Sequence, residues 1–213
     1  MANPTIDELQ NSGQYKLIAR LNHRQIKEFV IGQLSDGGKM ITIFMVYQVA
    51  LVLVGLFFFT RSIVLFFNDY REPFYYSLAA LVFSFSLLIV IHELLHGAAL
   101  KITGARKVNF GGYLKKFIFY AEADRFVLNR KQFVFIALTP LVVIKLISLV
   151  AIVVFLNTPL LYFFIFLMSA HSLFCAGDVG LLSVFYKYPG HEIFTFDVKK
   201  EKTSYYYSRV FSP

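Results

Sequence analysis

Two histidines four residues apart, with a glutamate beside the first, sit inside an oily run: His92-Glu93-Leu94-Leu95-His96 within SLLIVIHELLHGAAL. On a helix this spacing projects both imidazoles from one face. There they can bind one Zn²⁺ at ~2.0–2.1 Å each. Glu93, one residue along, stands near the metal but off its ligand axis, placed to take a proton from a water that the metal makes acidic. This is the H-E-x-x-H zincin pattern, whose chemistry is hydrolysis. The bland alternative is a chance match in a buried helix. Against it, Asp, Lys or Arg in a membrane helix costs roughly 2.5–3.5 kcal/mol each on insertion scales, so buried ionisable groups are seldom idle. His191-Glu192 repeats the dipeptide in a polar tail without a second histidine, and reads as surface.

A catalytic zinc takes a third protein ligand and keeps one position open. The run MSAHSLFCAGDVGLL offers Asp178, a carboxylate in apolar sequence, with His171 and Cys175 at i, i+4, i+7 spacing on the same helical face. His92 lies twelve residues before Gly104, and Asp178 twelve before Gly190. On codirectional helices this sets both groups at a similar depth, roughly 15–18 Å from those ends. Asp178 is therefore the expected third metal ligand; otherwise it is a packing carboxylate bonded to a neighbouring Ser or backbone. His171, almost two turns nearer the outer side, could bind substrate, stabilise an oxyanion or hydrogen-bond across helices. Lys145 in VVIKLIS is a mid-helix charge that needs a partner or a water-filled cavity. Pro140 in ALTP removes one helix hydrogen bond beside the site.

The elements that must position these groups are membrane spans. The chain of 213 residues is 57% hydrophobic and only 16% charged, with mean hydropathy +0.62, against roughly 25% charged in soluble domains. Four apolar segments, at about 40–60, 73–103, 133–156 and 159–186, each exceed the ~20 residues that cross a ~30 Å hydrocarbon core. Gly104 stops the second, and Pro189-Gly190 closes the fourth. The net charge of +8 is read as topology and not as nucleic-acid affinity. Five Lys/Arg precede the first span, two lie in the first connection and eight in the second. None lies near Asn157-Thr158, and five follow from Lys187 onward. That alternation places both termini in the cytosol. Residues 1–39 lack the apolar core of a cleavable signal peptide, and the single cysteine excludes an intrachain disulfide.

The expected fold is thus an all-α membrane protein of four transmembrane helices with small cytosolic β-hairpin elements. Residues 1–39 form a cytosolic segment with a helix near 22–33. Residues 40–188 form the transmembrane unit, with a cytosolic insert at 104–131, and 189–213 form a cytosolic tail. VNFGGYLKKFIFYA, residues 108–121, mixes aromatic and β-branched residues around Gly111-Gly112, as a hairpin does. EIFTFDV and TSYYYSRV in the tail flank Lys199-Lys200-Glu201-Lys202 and predict a second hairpin.

HELLHGAALKITG, NFGG, ALTPLVV and AGDVG together resemble the putative zincin peptidases of bacterial membranes, from about residue 74 to 186. More distantly, the arrangement is similar to the site-two proteases. The resemblance implies a Zn²⁺ site made by His92, His96 and Asp178, with Glu93 as general base, cutting a membrane protein or peptide at the cell membrane. Site-two proteases carry an Asn ahead of their Asp-Gly, which the stretch His171 to Asp178 lacks, so oxyanion stabilisation stays unassigned. The competing classes are a metal-binding membrane protein without turnover and a small transporter using His92, His96, Asp178 and Lys145. The intact Glu93 speaks against the first, and the absence of a repeat or paired broken helices against the second. Substrate and oligomeric state are not encoded in any motif.

Overall fold

The computed structural model describes residues 3–113 and 118–210. Residues 114–117 of the expected 108–121 hairpin, Lys115 and Lys116 among them, lie outside the described residues. In chain order the elements are α1 (Ile6–Asn11), β1 (Tyr15–Asn22), α2 (Ile26–Asp36), α3 (Lys39–Phe67), α4 (Glu72–Ser84), α5 (Leu87–Ile102), β2 (Asn109–Tyr113), β3 (Ile118–Glu122), β4 (Leu128–Asn129), α6 (Arg130–Val154), α7 (Leu160–Phe174), α8 (Ala176–Ser183), β5 (Ile193–Val198) and β6 (Thr203–Arg209). Helix dominates, and the strands form two small antiparallel sheets.

Among the described residues, three helical stretches are long and apolar enough to cross a membrane: Lys39–Phe67, Arg130–Val154 and Leu160–Tyr186. A fourth is made if α4 and α5, bent by 48° at their junction, count as one span. The continuous helix expected over 73–103 is therefore broken. At the break, Ser86 Oγ donates back to Val82 O at 2.6 Å, a side-chain bond that competes with the helix ladder and bends it. Gly104, at φ 104°, ends α5: the amide of Ala105 donates to Leu100 O at 3.0 Å, closing a turn that a left-handed residue permits. A second break falls at Cys175, between α7 and α8, so two helices are interrupted where the sequence predicts no break.

The helices pack around α7, which touches α3, α4 and α6. Leu88, Ile144 and Leu167 meet in the core beside the α5 motif. The outward faces of α3 and α6 stay apolar, with Val46, Leu53, Phe57, Ile147 and Val150 exposed, as lipid-facing positions are. Asn129 begins α6 with a capping box, its side chain accepting from the amide of Gln132 at 3.0 Å.

Both expected strand pairs are present, as β2–β3 and β5–β6, but Gly111-Gly112, the expected break, lies within β2 opposite Tyr120 and Phe119. The tail hairpin belongs to a larger sheet of order β1-β6-β5-β4. β1, which the sequence did not announce, pairs along β6, so residues from both ends of the chain share one sheet. Phe196 stacks between Tyr205 and Tyr207, with ring centroids 5.4 and 6.0 Å away. The helix expected near 22–33 is α2, and it starts only after β1 and a short 3₁₀ turn at His23–Gln25.

Candidate metal centre

His92, Glu93 and His96 all lie on α5, and Asp178 lies on the first turn of α8. α6 packs against both helices and holds them in place. Gly97, directly after His96, lets the β2–β3 hairpin close on α5. A Cβ there would stand 2.5 Å from Phe110 Cζ, inside any allowed contact.

The side chains converge. His92 Nε2 and His96 Nε2 are 3.0 Å apart. Asp178 Oδ2 is 3.2 Å from the first and Asp178 Oδ1 is 3.1 Å from the second. The two carboxylate contacts are made by different oxygens, and one ligand atom from each of the three residues lies within 4.8 Å of the others, the spacing of a group that could hold one metal ion. Both imidazoles are buried, and the carboxylate keeps 18% of its side-chain surface exposed. The donor set of two imidazole nitrogens and one carboxylate suits zinc. Among the described residues, Glu93 Oε2 is buried without a hydrogen bond, and Asp178 Oδ2, also buried, has only the His92 ring beside it. A buried polar atom without a partner costs about 1–3 kcal/mol, so both oxygens point to a group that completes the site.

The far nitrogens fix the rings. His96 Nδ1 donates to Ile136 O at 2.9 Å, which leaves the Nε2 lone pair facing Asp178. That carbonyl is free to accept because the residue four positions on is Pro140, which has no N–H. His92 Nδ1 stands 3.1 Å from His171 Nε2; donating there, it too turns a lone pair towards Asp178. His171 is fully buried, with Cys175 Sγ 3.8 Å from its ring nitrogens. It stands behind His92 and does not line the cavity. Lys145 Nζ donates to Met168 O and lies 5.8 Å from the Tyr47 ring centroid, also outside the cavity wall.

A cavity of about 620 Å³ opens on the centre. His92, Glu93, His96 and Asp178 form one wall, and β3 contributes Ile118 to Glu122 to another. A family model described as putative zincin peptidase matches residues 85–193, the stretch that carries every residue of the centre. This chain belongs to that family. No curated protein and no solved structure matches it. The zincin family's boundaries run from just ahead of α5 to the start of β5, so they enclose the hairpin, α6, α7 and α8. They leave out β1, α2 and β6, although His23, Val30 and Tyr206 from those parts line the same cavity.

Three cavity residues carry no local motif. His23, Glu122 and Asp197 come from the N-terminal segment, the hairpin and the tail. Asp197 lies in an aromatic strand and Glu122 at a strand end, the only sequence signals either gives.

Proposed function

We propose that the chain is a membrane-embedded zinc metallopeptidase that hydrolyses peptide bonds near the cytosolic side of the bilayer. The observation that carries this reading is the convergence of His92 Nε2, His96 Nε2 and the Asp178 carboxylate, with contacts of 3.0, 3.1 and 3.2 Å, set in a cavity wall beside Glu93 Oε2, which makes no hydrogen bond among the described residues. His92 Nε2, His96 Nε2 and one Asp178 oxygen would hold the ion. When bound, zinc supplies Lewis-acid chemistry, making water acidic near neutral pH and polarising the scissile carbonyl. Glu93 takes the proton of the attacking water on its carboxylate and returns it to the leaving amine nitrogen. Ile136 O and His171 hold the two imidazoles in the tautomer that this requires.

β3 lines the cavity over its whole length and, among the described residues, pairs with a strand only at its β2 edge. An extended substrate segment laid along the other edge takes backbone hydrogen bonds there with little sequence preference. Retention of zinc by Glu93→Gln, with peptide cleavage lowered by about 10²–10⁴-fold, is the expected result in purified protein. Cleavage at the wild-type rate would remove Glu93 from the chemistry. Retained zinc with no cleavage even by the wild type would point to a metal-binding protein without turnover.

A further inference from the structure

The cavity has a second polar end. His23 follows β1, and its backbone amide donates to Lys202 O at 2.8 Å, which pins the ring beneath the sheet. Its Nε2 lies 3.2 Å from Ser204 Oγ and 3.8 Å from Asp197 Oδ1, and Ser204 Oγ donates to Asp197 Oδ1 at 2.5 Å. On the opposite edge of the ring, His23 Nδ1 is 3.8 Å from Glu122 Oε2. His23 is 3% exposed and Glu122 5%, and both Nδ1 and Oε2 lack a hydrogen-bond partner. A carboxylate oxygen this deeply buried is costly unless something pairs with it.

The two carboxylates face different nitrogens of one ring, so no three ligand atoms meet at a common point, and a second metal does not fit. Asp124 adds a third negative charge next to Asp197, where it accepts from the amide of Lys199 at 2.8 Å. The Lys199 ammonium is engaged elsewhere, on Asn109 Oδ1 at 2.8 Å, and among the described residues Lys27 is the lysine on the cavity wall. Burial first, and then the charge of Asp197, hold Glu122 above the ordinary carboxylate range. A bound cation would relieve both effects.

Building on the peptidase reading, we propose that the buried Glu122 carboxylate, whose Oε2 accepts no hydrogen bond among the described residues, backed by Asp197 and facing the cavity that ends on Glu93, is a subsite for a protonated amine of the peptide substrate. A lysine side chain or a free N terminus supplies the same chemistry. The site would select the segment of substrate laid along β3, because Glu122 is the last residue of that strand.

The test uses the full-length Glu93→Gln chain, loaded with zinc in lipid nanodiscs so that nothing is cut. Binding of a ten-residue alanine–leucine peptide, dye-labelled at its C terminus, is followed by fluorescence anisotropy. Four forms are compared: free or acetylated at the N terminus, each with one lysine or with norleucine in its place. Removing the recognised charge is expected to weaken binding about tenfold, as for a lost charge-assisted hydrogen bond. The arm that responds, acetylation or norleucine, identifies the amine. Adding Glu122→Gln should flatten that discrimination to less than about twofold, with zinc content confirming that the variant is folded. Without any change at Glu122, n-butylammonium chloride should displace the charged peptide and leave the neutral one bound. Equal binding of all four peptides, binding of none, or discrimination that survives Glu122→Gln overturns the subsite. Amine-dependent binding by a chain whose Glu93-intact form cuts none of the peptides sustains the subsite and sinks the peptidase reading. Cleavage without amine preference does the reverse.

Discussion

Pro140 and His96 meet at one atom, the carbonyl oxygen of Ile136. In an unbroken helix that oxygen accepts from the amide four residues on, but Pro140 has none to give, and His96 Nδ1 takes the place at 2.9 Å. A helix-breaking residue inside a 25-residue helix thus leaves free the acceptor that orients His96, a candidate metal ligand on another helix. Pro140→Ala restores the competing N–H and should tighten α6. Zinc affinity, measured by competition with a chromogenic chelator, is expected to fall about 10–100-fold, the usual cost of losing an outer partner of a ligating histidine. Unchanged affinity would mean that Ile136 O does not orient His96.

His171 holds His92 in the same way from the opposite side, 3.1 Å from its Nδ1. His171→Ala removes the acceptor and leaves the His92 ring free to rotate. It should weaken zinc binding by a similar factor, about 10–100-fold. His171→Gln, whose amide oxygen can accept the same proton, should recover most of the loss. Were His171 a group that touches substrate, both variants would lower turnover and leave zinc affinity unmoved.

Glu122 makes a prediction about stability. Burial and Asp197 raise its pKa in the folded chain, while His23 and Lys199 oppose the rise, and Asp124 adds to it. Tyr120, packed edge-on against His23 with ring centroids 5.0 Å apart, completes its surroundings. A carboxyl whose folded pKa is raised favours the fold while protonated. That contribution is complete below the ordinary carboxylate value and is lost as pH rises through the raised one. Glu122→Gln removes the buried charge and should therefore stabilise the protein above that range. The gain should vanish in acid. Cys175, buried and the chain's single thiol, reports unfolding through a thiol-reactive dye in a thermal ramp. A loss of stability at alkaline pH would show that Glu122 is a structural ion-pair partner.

The α5 motif, Asp178 and both hairpins could be read along the chain because each rests on local pattern: helical spacing, an ionisable group in an apolar run, aromatic alternation around a turn. The equal spacing of His92 and Asp178 from Gly104 and Gly190 anticipated their meeting, although it assumed unbroken helices. The breaks at Ser86 and Cys175 left no comparable trace, since apolar composition continues through both, and a serine back-bond is decided by local geometry. β1 was hidden for a different reason. YKLIARLN alternates weakly, and its partner β6 is at the other end of the chain. The His23, Glu122 and Asp197 cluster is likewise assembled by sheet pairing alone, which no spacing in the sequence encodes.

Gly180, two residues after Asp178, marks how closely α8 is pressed on α2. A Cβ there would stand 2.8 and 3.1 Å from the two γ-carbons of Val30 and 3.2 Å from its Cβ. Val30 is β-branched and held to essentially one rotamer on a helix, so it cannot swing aside. Helix propensity alone would favour Gly180→Ala by about 0.8–1.0 kcal/mol. Overpacking at a backbone-close contact costs about 1–3 kcal/mol, so packing wins. The variant should unfold more readily and bind zinc less tightly, because the shift of α8 carries Asp178 with it. Val30→Ala in the same chain opens the space and should restore both properties. A double-mutant cycle on thermal unfolding is expected to show a coupling above about 0.5 kcal/mol, as for residues in contact. Additive effects would show that α2 yields freely, and that the position of Asp178 is set by α6 instead.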